Sequence, residues 1–159
     1  MSAASADDPA LAADATLPRR GAVLAFDYGE RRLGVAVGEL ELRMAHPVET
    51  VTSASSTERD KAIERLVAEW APVLFVVGLP RHMDGSEHPL GRQCRRFARG
   101  LESRFGRPVA LVDERLSSHA ASLALNDAGI RGRRQKSMLD QVAAQQILQA
   151  YFEDSHGAA

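Results

Sequence analysis

One cysteine, Cys94, stands in a chain of 159 residues. A single cysteine excludes an internal disulfide and a cysteine-based zinc site, and it suits a reducing cytoplasm. No apolar run approaches the roughly 18 residues of a membrane span. The N-terminus has no basic start followed by an apolar stretch, so no secretory signal is expected. The five histidines, His46, His82, His88, His119 and His156, are scattered without ligand spacing and read as surface or structural residues. No internal repeat is present.

What the chain does have is the make-up of an ordinary soluble globular protein, 45% hydrophobic and 26% charged, and its length allows one compact domain and hardly two. The formal net charge of −1 hides an asymmetry. Residues 1–18, MSAASADDPALAADATLP, hold Asp7, Asp8 and Asp14 and no base, so elsewhere 20 basic residues face 18 of the 21 acidic ones. That segment is rich in Ala, Ser, Asp and Pro and has little to bury. It is expected to be a disordered acidic tail before a single domain over 19–155.

Hydrophobic periodicity orders the domain. AVLAFD (22–27) and a second strand over 32–38 are joined by a tight link, which predicts antiparallel neighbours. A third strand is expected over 46–52. A helix follows from Thr57 to Trp70, with Ile63, Leu66, Val67 and Trp70 at helical spacing. VLFVVGLP (73–80) is a continuous apolar strand and predicts burial on both faces. A polar loop (81–88), a helix (89–105) and a strand (109–114) come next. A helix capped by Ser117 or Ser118 ends at Gly129, a basic loop covers 130–137, and a last helix runs over 138–153. A hairpin followed by alternating strands and helices predicts an α/β fold, a mixed sheet of about five strands flanked by helices. Sites on such sheets collect beyond the carboxyl ends of the strands.

Asp27 and Glu114 stand at two such ends, and Asp140 opens the last helix on its apolar face, with Ala143, Ala144, Ile147 and Tyr151 at i+3, i+4, i+7 and i+11. Asp113 and Glu114 point to opposite faces of the sheet, so only one of them lines a given site. Three carboxylates turned toward one sheet need a counter-charge, and hard divalent cations supply it. Two Mg²⁺ ions so held can activate a water and stabilise the leaving oxygen of a phosphodiester. Each residue also has a plainer reading. Ser137 to Asp140 has capping-box spacing, Asp27-Tyr28-Gly29 is a turn signal, and Asp113-Glu114-Arg115 could be a solvated strand end. All three together, on this element order, favour a site.

Two basic surfaces accompany them. Arg92, Arg95, Arg96 and Arg99 form a stripe on the helix over 89–105, either a solvated face or a phosphate track. Arg131, Arg133, Arg134 and Lys136 lead directly into Asp140, and bases beside a carboxylate site point to an anionic substrate.

The blocks LAFDYGERRLGVAVG, VVGLPRHMDGSEHPLG, LVDERLSSHAA and SMLDQVAAQQILQAYF resemble, in order and over about 22–153, the four signature blocks of the YqgF family. The resemblance implies an RNase H-like, resolvase-like fold. It implies a cytoplasmic Mg²⁺- or Mn²⁺-dependent nuclease with Asp27, Glu114 and Asp140 as metal-binding catalytic carboxylates. Arg115 and the 131–136 segment would hold phosphates. The substrate it implies is the 5′ end of pre-16S rRNA, on ribosomal precursor particles or free. The alternatives are resolution of a Holliday junction in branched DNA and a non-catalytic nucleic-acid-binding or ribosome-assembly factor. Monomer and homodimer both stay open. DYG alone would be a weak signal, since actin-like ATPases also open this way, but they need a second similar domain.

Neutralising Arg131, Arg133, Arg134 and Lys136 together is expected to weaken nucleic-acid binding with little change in stability. Titrations at several salt concentrations should show the slope of log affinity against log salt falling by about 0.9 per lost contact on duplex DNA, or about 0.7 on a single strand. An unchanged slope would reduce the cluster to a solubilising segment.

Overall fold

A computed structural model describes residues 17–53, 55–114 and 132–154, with only the backbone described over 132–137. Five strands, β1 (Ala22–Tyr28), β2 (Arg32–Glu39), β3 (Met44–Thr52), β4 (Leu74–Leu79) and β5 (Val109–Asp113), form one sheet. The helices are α1 (Ser56–Trp70), α2 (Gly91–Phe105) and α3 (Gly132–Asp154). The sheet order is β3-β2-β1-β4-β5. The first three strands pair antiparallel, whereas β4 lies parallel between β1 and β5. Every residue of β4 is buried, as a continuous apolar run between two neighbours requires.

Local chemistry sets the ends of the helices. Ser55 caps α1, its hydroxyl oxygen accepting the Glu58 N–H at 3.2 Å. Gly106 ends α2 at φ 67°, where a glycine costs little.

Strand parity divides the core. Leu24, Phe26, Leu33, Val35, Phe75 and Val77 face α1 and α2, and pack with Ile63, Leu66, Ala98 and Leu101. Val23, Ala25, Ala36, Leu74, Val76 and Val112 face α3, against Ala144, Ile147, Leu148, Tyr151 and Phe152. Burying one large side chain of this kind contributes roughly 1.5–3 kcal/mol of transfer free energy. The two faces differ in kind. The first is filled by large side chains, while β2 offers α3 only Gly34, Ala36 and Gly38. A Cβ on Gly34 would stand 1.9 Å from the Asp140 carbonyl oxygen, so α3 lies on the bare backbone of β2.

Leu17, the first described residue, is buried and joins the α3-side core. Two expectations change. The last helix begins at Gly132 rather than 138. Arg133, Arg134, Gln135 and Lys136 are good helix formers with no breaker among them, so they extend the helix instead of forming a loop. Asp140 is therefore the ninth residue of α3, in its third turn, and Ser137 lies inside the helix. The capping reading of Asp140 falls with that. Residues 1–16 and the helix expected over 117–129 lie outside the described residues. No described helix is long and apolar enough to cross a membrane.

Replacing Gly34 by alanine should cost at least about 2 kcal/mol, because the clash is with backbone that can yield only by moving α3. Urea titration checks this. A variant as stable as the parent would mean that α3 is free to slide on β2.

Candidate active site

Parity aims the carboxylates. Asp27, near the end of β1, shares the side of Val23 and Ala25 and so faces α3. Glu114, one residue past β5, shares the side of Ala110 and Val112. Asp113 points the other way. Asp140 stands one turn before Ala144 on the buried face of α3. Asp27 pairs in register with Gly34, the residue whose missing side chain admits the Asp140 backbone. Gly78 makes the second opening. It lies on β4 between the strands that lead to Asp27 and Glu114, and a Cβ there would meet the Glu114 carboxylate at 2.8 Å and Ile147 at 2.5 Å. Without that Cβ, Glu114 can lie over the sheet toward Asp27.

Asp27 feels both of the other carboxyl groups. Burial, then the negative charge of Glu114 and a hydrogen bond with it, then Asp140, push the Asp27 carboxyl up to about 8. Burial also raises Glu114, against the lowering effect of its hydrogen bond with Asp27. The two carboxyls therefore share a proton near neutral pH. Burial raises Asp140 as well, opposed by Arg32, whose Nε lies 2.7 Å from Oδ2. That oxygen is buried and, the contact with Arg32 apart, accepts no hydrogen bond. Burial, followed by the charges of Glu114 and Asp27, pushes the Cys94 thiol up to about 12, so it stays protonated and is no nucleophile.

Asp27 and Asp140 open onto a cleft of about 290 Å³ walled by them and by the β1–β2 turn from Tyr28 to Arg32. A wider depression of about 740 Å³ shares Glu30, Arg31 and Arg32 with it and adds Thr52 and Ser53. Arg59 of α1, the one buried charged side chain among the described residues, braces the turn. Its Nη2 donates to the carbonyls of Gly29 at 2.7 Å and Glu30 at 2.9 Å, and its guanidinium lies 5.1 Å from the Tyr28 ring centroid.

Asp27 is thus hydrogen-bonded to Glu114 and lies within reach of the Asp140 charge. Arg115 and Arg131 lie outside the described residues. Arg133, Arg134 and Lys136 fall on the first turns of α3, in a helix rather than a loop. In the α2 stripe, Arg92, Arg96 and Arg99 are exposed, while Arg95 is half-buried and pairs with Glu87 at 3.7 Å. Sequence reasoning missed Arg32, Arg59, Gly34 and Gly78. The hairpin held a signal for two of them. A tight link pairs Tyr28 with Leu33 and hence Asp27 with Gly34, and Arg32 shares the parity of Gly34. No sequence signal marks Arg59, which acts on a turn 30 residues away.

The donor set suits a hard divalent cation: three carboxylates, oxygen donors only, with Glu114 and Asp140 both near enough to raise Asp27. Among the described residues, no three His, Cys, Asp or Glu side chains form a ready cation cage. Asp27 and Glu114 are instead joined to each other, and Asp140 to Arg32.

Residues 21–154 match a family described as RuvX, Holliday junction resolvase. A protein of Nitrosomonas eutropha is 55% identical over 139 residues, 87% of this chain and 88% of its own length. One from Methylobacillus flagellatus is 57% identical over 134 residues, 84% and 92% of the two chains. Both carry the name "Putative pre-16S rRNA nuclease". Among solved structures, T. thermophilus RuvC in complex with a Holliday junction substrate aligns with a TM-score of 0.53 at 18% identity, over 87% of this chain and 98% of that one. This likeness shows the shared fold.

A pH dependence follows from the carboxyl pair. Asp27 holds its proton more tightly when folded than when unfolded, so its contribution to stability is complete below about pH 4 and is lost as pH rises toward 8. In EDTA, the urea midpoint should fall between about pH 5 and pH 8.5, and Asp27→Asn should flatten that fall. Millimolar Mg²⁺ should restore stability mainly at the alkaline end. A flat profile in the parent protein would refute the shared proton.

Proposed function

The chain belongs to the RuvX family, and we propose that it is a metal-dependent nuclease that hydrolyses phosphodiester bonds in structured nucleic acid, with the 5′ end of pre-16S rRNA as its substrate. One observation carries the reading: Asp27 and Asp140 line a cleft walled by Arg31 and Arg32, and Glu114 is hydrogen-bonded to Asp27 on the same side of the sheet. A protein that only bound phosphates would gain nothing from three crowded carboxylates, which repel its ligand. The names of the relatives supply the choice of RNA.

In this reading Asp27, Glu114 and Asp140 hold one or two Mg²⁺ or Mn²⁺ ions. A cation there would supply Lewis acidity and a water acidic enough to attack phosphorus. The protein positions and neutralises. Arg31 and Arg32 face the phosphates, Arg59 keeps their turn in place, and Arg115, Arg131, Arg133, Arg134 and Lys136 would hold further phosphates. The protein acts on rRNA precursors in the cytoplasm, free or within ribosomal precursor particles. The family description favours one second reading, cleavage of branched DNA. Resolving a four-way junction takes two symmetric cuts and therefore a homodimer.

Incubation of the full chain with pre-16S rRNA fragments and with a four-way DNA junction, in Mg²⁺, Mn²⁺ or EDTA, separates the readings. Metal-dependent cuts at the RNA 5′ end support the first, paired symmetric nicks the second. Binding without cleavage of either would leave a non-catalytic factor. Asp27→Asn should lower cleavage by more than about 100-fold while the protein stays folded, since even residues that merely orient metal ligands cost 10–100-fold. Ca²⁺ should support binding with little cleavage, its larger and looser coordination fitting a two-metal site poorly. Full activity in EDTA would reject the metal.

A further inference from the structure

Arg32 does not behave as a fixed structural partner of Asp140. Its side chain keeps 44% of its exposure, while that of Asp140 keeps 17%. The guanidinium can leave the contact without a large change in its own hydration, whereas the carboxylate cannot follow it. The Asp140 oxygen it covers is buried and has no other hydrogen-bond partner, so it needs a replacement positive group as soon as Arg32 goes. Arg32 also has somewhere to go. It lines both the carboxylate cleft and the wider depression beside it, and in the sheet it pairs with Thr52, which lines that depression too. Its turn is braced from behind by Arg59, so the side chain can move while the backbone stays fixed.

Resting on the nuclease reading above, we propose that Arg32 is an exchangeable counter-ion: it pairs with Asp140 in the metal-free protein, yields that carboxylate to the divalent cation, and then binds a substrate phosphate in the Arg31–Thr52–Ser53 depression. Cation and nucleic acid consequently help each other. The cation frees the guanidinium, and a phosphate that holds the guanidinium away removes the cation's competitor. Arg32 is a positioning and substrate-binding residue in this scheme and takes no proton.

A purely orienting role for Arg32 predicts the opposite sign of effect on metal binding, and that decides between the two. Calorimetric titration of the full chain with Mn²⁺ alone, without nucleic acid, should give about fivefold tighter binding for Arg32→Gln than for the parent, roughly the contribution of one partly exposed ion pair. In Ca²⁺, the same variant should bind an RNA oligonucleotide more weakly, and its salt slope should be smaller by about 0.7. Arg32→Lys, which keeps the charge but loses the fork, should fall between parent and Arg32→Gln in Mn²⁺ affinity. It carries the test if Arg32→Gln does not fold. Unchanged or weaker Mn²⁺ binding by these variants, beside a parent that binds Mn²⁺, would overturn the exchange and leave the nuclease reading standing. A parent that binds no Mn²⁺ would bring down both.

Discussion

The contact of the Asp140 backbone with the bare surface of Gly34 sets the geometry of the whole site. In an antiparallel pair, neighbouring residues of a strand alternate between faces, so the α3 side of β2 is Gly34, Ala36 and Gly38. A helix can come so near a sheet only where side chains are this small. Because Gly34 is in register with Asp27, the closest approach of helix to sheet falls beside the one carboxylate that β1 presents on that face. Gly78 repeats the device on the other flank, where the space of a missing Cβ is taken by the Glu114 side chain. The acids meet because the backbone around them has been stripped.

Such crowding has an electrostatic consequence. Three half-buried carboxylates close together cannot all be ionised without positive charge among them. Here a proton between Asp27 and Glu114 and the guanidinium of Arg32 on Asp140 offset two of the three charges. One divalent cation in place of both would leave the same net charge of about −1 by this count. The site is thus balanced for exchange, and any cation that enters must displace groups already bound.

Much of this was legible in the sequence, because the signals were local and periodic. Alternation and apolar runs located every described strand, and the i+4, i+7 and i+11 spacing from Asp140 identified the face of α3 that is buried. The start of α3 was misjudged because a run of Arg, Gln and Lys suits a solvated loop and a helix equally. Only its continuity with the apolar face after it settles the choice. The burial of Leu17 was not legible for a related reason: an isolated leucine carries no period, and its burial depends on the surface that α3 and the sheet offer. Arg59 was out of reach altogether. Its role is to satisfy the carbonyls of a turn distant in sequence, and composition has no record of that pairing.

The division of labour between the two faces follows from the same arithmetic of size. The α1 and α2 side holds the aromatic packing, with Phe26 against Phe75 and Phe97 at centroid distances of 6.1 and 5.5 Å. That side can hold the sheet rigid. Large side chains could not have been used on the α3 side without lifting the helix and separating Asp140 from Asp27. The face that brings the acids together therefore gives up volume at β2, and recovers packing further along α3, where Ile147, Leu148, Tyr151 and Phe152 are buried. Stability and chemistry are separated along a single helix: its C-terminal half anchors it, and that anchorage keeps the turn bearing Asp140 seated on Gly34 of the sheet.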